Sequence, residues 1–456
     1  MSAGLLLLAV LAAGAQAASP AQGLKGAFKG KSVVLVSIDT LRADHLGAYG
    51  YTRPTSPHFD ALARESLVYE RAYSQAPYTA PSHMTLFTGV LPAVHGVVNW
   101  HSRTLRRVSE RLPTLASLLA KAGYTTAAYS GGGNLHPEFG FDQGFDSFVM
   151  TRWQDIGAAG HALLETARRG GRFFFFAHTY QVHAPYVPPA PYARLFVDPA
   201  YGGRILSSKE ELVRQVGSDV WERLQKPFWE PVDSSSPADV SHLLNLYDAG
   251  IRKMDDDLAL FLRRFREAGL DRDAILVVTS DHGEEFMEHG GLQHGSRLYD
   301  EQLHVPLLVR LPSAAGAGRR GEVVRLLDVV PTLLELLGLP APEHLQGQPL
   351  PGLSAGSERR PVYAEEQNEG LQSLRIGDTK YLRHGDREEL FDLASDPGER
   401  SNQLTQDQAY VWRGRVSRIL EASLTLGAGF RSSEVPALDP ETKRQLEALG
   451  YVAGGR

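Results

Sequence analysis

The chain predicts an α/β protein: a large doubly wound, mainly parallel sheet sandwiched by helices, plus a small C-terminal α+β subdomain. Three observations carry this. Short, nearly continuous apolar runs rich in β-branched or aromatic residues recur at Val33–Ile38, Phe173–Ala177 and Ile275–Thr279, as expected for strands buried on both faces. Helical periodicity separates them, most clearly over Val240–Gly269. From about residue 311 the pattern changes to shorter pieces, with Lys380–Leu382 and Glu389–Leu393 split by a polar turn as in an antiparallel hairpin.

Taken in order, Val33–Ile38 is the first strand, with Asp39 at its carboxyl end. Ser56-Pro57 starts a helix to about Ser66, with Ser at the cap and Pro at the first helical position. Pro81 and Gly89 bound a short helix whose N-terminus falls at Thr79. Leu112–Ala122 is an amphipathic helix closed by Gly123, and Thr125–Tyr129 a strand followed by Gly131-Gly132-Gly133-Asn134, read as a flexible connector. The stretch 189–240 is polar and irregular, a surface insertion or lid. In the helix after it, Asp255-Asp256-Asp257 reads as a solvated face. Val305–Arg310 is a further strand, placed near an edge by Pro306. A Gly/Ala-rich linker, a helix over Val330–Leu337, the hairpin, and helices near Gln408–Ala422 and Pro440–Leu449 complete the chain. The expected division is residues 1–18 as a signal peptide, 31–345 as the catalytic domain, and 346–456 as the small subdomain with an antiparallel hairpin and terminal helices.

Composition narrows the function classes. With 456 residues, 43% of them hydrophobic, the chain can bury a large core. A formal net charge of −6 supplies no basic footprint, so no nucleic-acid-binding surface is expected. There is no cysteine, hence no disulfide and no thiolate metal site. Leu5–Ala13 is an apolar run too short to span a bilayer, leading into Ala15-Gln16-Ala17-Ala18, the small-residue pattern of a signal-peptide cleavage site. The expectation is a periplasmic or secreted protein without a transmembrane anchor. Oligomeric state is not legible.

Two stretches carry the chemistry. In Tyr78-Thr79-Ala80-Pro81-Ser82-His83, unpaired backbone N–H groups at a helix start favour an anion, so Thr79 reads either as an N-cap or as a nucleophile. In Ser280-Asp281-His282-Gly283, an Asp and a His at a strand's carboxyl end offer oxygen and imidazole ligands to a divalent cation. Asp39 is a candidate ligand by the same placement. His178 and His183 leave one strand end together, with a functional role weighted toward His183. His294 lies in a loop that can return to the site, whereas Glu284, Glu285, Glu288 and His289 read as solvent-facing or structural.

Together, Asp39-Thr40-Leu41-Arg42-Ala43-Asp44, Thr79-x-Pro81-Ser82-His83, His183-Ala184-Pro185-Tyr186, Ser280-Asp281-His282-Gly283, Leu298-Tyr299-Asp300-Glu301 and Leu390-Phe391-Asp392-Leu393 with Asp396-Pro397 resemble the sulfatase branch of the alkaline phosphatase superfamily. The departures matter. Thr79 and His83 stand where that branch carries the cysteine that becomes formylglycine and its arginine; Thr40 replaces a second aspartate and His282 an asparagine. The sulfate-contacting lysine and histidine after the Thr125–Tyr129 strand are not recognisable. A threonine with Asp-His ligation is similar instead to phosphodiesterases and phosphotransferases of the superfamily.

The resemblance implies a metal-dependent hydrolase that cleaves phosphate or phosphonate esters through a covalent threonine intermediate. Asp39, Thr79, Asp281 and His282 would hold one divalent ion (Zn, Mn or Ca), and a second ion at His183 and His294 is conceivable. Thr79 would attack, His183 or His294 would serve the leaving group, and His83 would orient the nucleophile. The substrate expected is a small-molecule, glycan or lipid ester. A formylglycine-free sulfuric ester hydrolase, a phosphoryl head-group transferase and a non-catalytic binding protein are the alternatives.

Overall fold

The structure, a computed structural model, describes residues 23–98, 106–151, 156–219, 221–354 and 360–435, with Pro440 and Lys443. The signal peptide over 1–18 and nearly all of the helix expected at Pro440–Leu449 lie outside these residues. Among the described residues, no helix is long and apolar enough to cross a membrane.

Eight strands make the main sheet: β1 (Ser32–Ile38), β2 (Leu67–Tyr73), β3 (Thr125–Ser130), β4 (Ser147–Met150), β5 (Phe173–Thr179), β6 (Ala274–Thr279), β7 (His304–Arg310) and β8 (Gly318–Arg325). Their order is β8-β2-β7-β6-β1-β5-β3-β4. Every neighbouring pair is parallel except the two made by β7. Seven helices matter here: α1 (Pro57–Ala63), α2 (Thr79–Thr88), α3 (Leu115–Lys121), α4 (Ile156–Arg168), α5 (Pro237–Glu267), α6 (Val329–Leu337) and α7 (Gln406–Gly427). Successive strand residues point to opposite faces, and here both faces are covered. Val33, Leu35, Phe174 and Phe176 pack with α2, α3 and α6, while Val34, Val36, Phe173 and Phe175 pack with α1, α4 and α5. That double burial is why these strands read as unbroken apolar runs rather than alternating ones. Each of the four phenylalanines, 2% exposed or less, contributes about 1.5–3 kcal/mol of hydrophobic stabilisation.

Several expectations are corrected. β7 lies third from the end of the sheet, not near an edge. Pro306 is tolerated inside because it sits at a register shift between Val305 and Leu307, and the ladder to β6 begins at Leu307. The segment read as a Gly/Ala linker contains β8, which pairs with β2. The Asp255–Asp257 run is not a solvated face. Asp255 is fully buried and its carboxylate accepts the His58 and Phe59 N–H groups at 2.9 and 2.7 Å, capping α1. Asp257 is also buried, paired with Gln181 and Lys253. The 189–240 stretch forms short helices at Ala190–Phe196, Lys209–Val216 and Trp221–Trp229, and Ile205, Leu212, Leu224 and Phe228 anchor it in the α5-side core.

The hairpin belongs to a second, four-stranded antiparallel sheet, β9 (Val362–Glu366), β10 (Leu371–Ile376), β11 (Thr379–His384) and β12 (Arg387–Asp392). One cross-strand row, Tyr363, Leu374, Tyr381 and Leu390, packs under Trp412 and Val416 of α7. The opposite face, including Leu371, Leu382 and Phe391, packs on Leu298, Tyr299 and Leu303.

Candidate active site

The central parallel strands β6, β1 and β5 lie side by side, so the residues at and just past their carboxyl ends converge: Asp39 after β1, His178 as the penultimate residue of β5, Asp281 and His282 after β6. α2 brings Thr79 to them. Its start follows the expected logic: Tyr78 is the extended N-cap, Thr79 the first helical residue, and Gly89 ends the helix at φ 70°. All ten residues of α2 are buried.

Three side chains at i, i+3 and i+4 on one face of α2 do separate work. Thr79 Oγ1 donates to Asp39 Oδ2 at 3.2 Å and lies 3.4 Å from His282 Nε2. Ser82 Oγ donates to the Asp281 carbonyl at 2.6 Å, tying the helix to the turn after β6. His83 Nδ1 donates to the Thr79 carbonyl at 2.8 Å, and its Nε2 meets Ser37 Oγ of β1 at 2.8 Å. Burial pushes His83 down to about 3, so it is a neutral clamp between helix and sheet at neutral pH.

The turn after β1 is held from below. Tyr247 of α5 donates its hydroxyl to the Thr40 carbonyl at 2.7 Å and accepts the Arg42 N–H at 2.9 Å. Ser280 Oγ accepts the Leu41 N–H at 3.0 Å. Thr40 itself is left-handed, φ 56°, a strained conformation for a β-branched residue.

Asp39, Asp281 and His282 offer ligand atoms all within 4.8 Å of one another. The structure's own chemistry fits a divalent cation there. Asp39 Oδ1 and Asp281 Oδ2 are buried with no hydrogen-bond partner. His282 gives Nδ1–H to the Gly283 carbonyl at 2.9 Å, which leaves Nε2 facing the carboxylates, 3.2 Å from Asp281 Oδ2. Burial raises both carboxyls above their ordinary range, with their mutual repulsion adding to it at Asp281 and His282 offsetting it. Burial lowers the His282 imidazole, but the two carboxylates outweigh it and the net shift is upward. A cation would neutralise this concentration of negative charge.

His183 and His294 stand beside this cluster. His183 gives Nδ1–H to the Ala184 carbonyl at 2.6 Å, and burial lowers it to about 4. The His294 ring lies 5.2 Å from that of His183 and 4.4 Å from that of His282, centroid to centroid. All the residues expected in the site are thus brought together.

Two further residues were passed over or underweighted. His178 Nε2 lies 3.3 Å from Asp39 Oδ2, and burial lowers its imidazole to about 4. Glu284, expected at the surface or in a structural role, is fully buried with its carboxylate 2.8 Å from His294 Nδ1. Burial raises it to about 7, partly offset by His183. The available signal was its place two residues past His282, beyond a glycine that lets the chain turn back. Gly131-Gly132-Gly133 is not a loose connector either. The loop is buried, a Cβ at Gly131 would lie 2.6 Å from the Tyr180 ring, and Tyr180 donates its hydroxyl to the Gly132 carbonyl at 3.1 Å.

A match to the family described as sulfatase spans residues 31–339. The chain belongs to the sulfatase family. A second match, to the C-terminal region of N-sulphoglucosamine sulphohydrolase, spans residues 288–423 of this sulfatase-family chain. Arylsulfatase K of Bos taurus is 24% identical over 473 aligned positions, covering 87% of this chain and 84% of that protein. Among solved structures, one in complex with its substrate D-glucosamine-2-N,6-O-disulfate superposes with a TM-score of 0.70 at 18% identity, covering 88% of this chain and 99% of that one. The phosphonate monoester hydrolase of Agrobacterium radiobacter superposes at 0.65 and 20%, covering 88% and 96%. The chain is therefore a hydrolase acting on ester bonds, in a family that typically binds a divalent metal. Sulfuric esters, the alternative in the sequence reading, fit these relatives better than the phosphate or phosphonate esters it put first.

Proposed function

We propose that this protein hydrolyses sulfuric esters, with Thr79 as the nucleophile and a sulfated saccharide as the substrate class. The observation that carries the proposal is the position of Thr79 Oγ1, buried at the first turn of α2, 3.2 Å from Asp39 and 3.4 Å from His282. The relatives, arylsulfatase K and the protein solved with a disulfated glucosamine, support the substrate class.

Thr79 passes its hydroxyl proton to Asp39 Oδ2, the acceptor of its hydrogen bond, and its Oγ1 attacks the sulfur in line with the ester oxygen, which leaves as an alcohol carrying a proton from Nε2 of His294. Water then cleaves the O-sulfothreonine, returning the hydroxyl and releasing sulfate. The positive end of the α2 dipole favours the negative oxygens of the transferring group. His83, with both nitrogens engaged, positions Thr79 through its carbonyl. Asp39, Asp281, His282 and Thr79 Oγ would hold one divalent ion, which supplies positive charge at the nucleophile and at the non-bridging oxygens. The set, three oxygens and one nitrogen, suits Zn, Mn or Ca. A second ion at His183 and His294 would need Glu284, whose carboxylate is already engaged by His294. We assign catalysis to residues 31–345 and the shaping of substrate access to 346–456, in a protein carried to the periplasm or outside the cell by residues 1–18.

Phosphate or phosphonate ester cleavage is the second reading. Threonine at the nucleophile position favours it, since hydrolysis of a threonine ester needs no formylglycine. The test is a panel of aryl and saccharide sulfates, phosphate monoesters and diesters, and phosphonate esters, run with the metal-loaded protein and with Thr79→Ala. Sulfate esters turned over fastest, with activity abolished in Thr79→Ala, is the expected result. Fastest turnover of phosphonate or phosphate esters shifts the assignment to the second reading, and full activity in Thr79→Ala removes the nucleophile.

A further inference from the structure

Glu284 is a fully buried carboxylate that the mechanism above does not use. Its backbone leaves it little freedom. The Gly283 and Glu284 N–H groups donate to the Gln302 and Glu301 carbonyls at 2.8 and 2.9 Å, and the Glu284 carbonyl accepts from Arg42 Nη1 at 2.9 Å. A Cβ at Gly283 would meet the Glu301 carbonyl oxygen at 2.1 Å, so the segment can run this close only with glycine there. The segment therefore delivers the Glu284 side chain inward, where Oε1 lies 2.8 Å from His294 Nδ1 and the Tyr186 hydroxyl is a second hydrogen-bonding neighbour.

The loop bearing His294 is clamped independently. The Gly295 N–H donates to Gln302 Oε1 at 2.8 Å, and Gln302 Nε2 donates to Glu285 Oε2 at 2.9 Å. Gly295 has φ 94°, and a Cβ there would lie 2.1 Å from the Tyr78 ring, one residue before the nucleophile. Backbone and ring of His294 are thus fixed by different groups, the ring through the Glu284 carboxylate at Nδ1.

We propose that Glu284 is a positioning residue: its carboxylate accepts the Nδ1–H hydrogen bond of His294, sets the ring plane, and presents Nε2, with the proton it gives up, to the departing ester oxygen. A carboxylate on one imidazole nitrogen fixes which nitrogen faces it and holds the ring plane, so the other nitrogen has one direction. Beside two other histidines within ring contact, that hydrogen bond singles out His294 as the group that serves the leaving oxygen. Glu284 touches no reacting atom. This assignment rests on the proposed hydrolysis at Thr79.

The test is a series of aryl sulfates, with phosphate or phosphonate counterparts, spanning a wide range of leaving-group pKa. Wild type, Glu284→Gln, His294→Ala and the double variant are assayed, with metal content measured in each. Proton donation by a side chain contributes roughly 10²–10⁴-fold, so the loss in Glu284→Gln should grow toward about 10²-fold at the poorest leaving groups. The dependence on leaving-group pKa becomes steeper, His294→Ala shows the same steepening, and the double variant is no worse than His294→Ala. Independently of turnover, ¹⁵N ring shifts of His294 should show one tautomer with Nδ1–H in wild type and a mixture in Glu284→Ala. A uniform loss across the series, additive losses in the double variant, or an unchanged ring tautomer overturns the proposal. If wild type cleaves the series through Thr79 and the slope does not change, the positioning role alone falls. If wild type cleaves none of it, or Thr79→Ala cleaves it equally well, the active-site reading falls and takes the role of Glu284 with it.

Discussion

Replacing Asp39 with Asn removes one of two carboxylates that the fold holds, fully buried, with ligand atoms within 4.8 Å of each other. At that separation and an effective dielectric constant of about 20, two negative charges repel by about 3 kcal/mol, which the apo protein bears as instability or relieves by taking up a proton. Asparagine keeps an acceptor for Thr79 Oγ1, now at 3.2 Å, so the variant should be up to about 3 kcal/mol more stable than wild type in chelator at pH 8. With metal the order reverses. An ion present at about a hundred times its Kd stabilises the site that binds it by about 2.7 kcal/mol, and the variant has lost a charged ligand. Denaturation curves in chelator, then in excess Mn²⁺ or Zn²⁺, read both halves. The expected result is a variant that melts higher than wild type without metal and gains little from it, while wild type overtakes it on loading. A variant that melts lower in chelator, or gains as much from metal as wild type, refutes the account of a cation-seeking carboxylate pair.

Three other outcomes follow from particular contacts. Gly283→Ala drives a Cβ against the Glu301 carbonyl oxygen, a backbone atom that cannot rotate away. It should cost about 1–3 kcal/mol in denaturant titrations and weaken metal binding measured by dye competition, because His282 is displaced. Glu365 is raised by burial from 4.5 to about 7, with its Oε1 accepting the Ala93 N–H at 2.6 Å. The folded state holds this proton more tightly than the unfolded one, so stability from Glu365 is complete below pH 4.5 and lost as pH rises through about 7. Glu365→Gln should therefore match wild type at pH 4 and exceed it at pH 8, by up to about 3 kcal/mol for 2.5 pH units at 1.36 kcal/mol each. Trp412→Ala empties the space over the Tyr363, Leu374, Tyr381 and Leu390 row and should cost about 3–5 kcal/mol. Limited proteolysis should then cut α7 first, with the metal-induced stabilisation of the main sheet retained.

The sequence by itself determined where β1, β3, β5, β6 and β7 lie, with the helices α1, α2, α3, α5 and α6, and which loops hang from those strands' carboxyl ends; β2, β4, β8 and α4 were not legible in it. Both are written locally: double-faced burial demands continuous apolar runs, and Pro81 with Gly89 marks the two ends of α2 whatever surrounds it. Asp39, Thr79, Asp281 and His282 were legible for the same reason, being polar groups placed at such ends. Only the tertiary structure decided which strands are neighbours. Placing β6, β1 and β5 side by side brings residues more than two hundred positions apart within 4.8 Å, and it places Pro306 inside the sheet, at a bulge. It also turned Glu284 inward and buried Asp255 as a helix cap, neither of which a local pattern announces. The direction of a side chain just past a strand or along a long helix depends on what packs against it, and that packing is a property of the assembled layers rather than of any single stretch of chain.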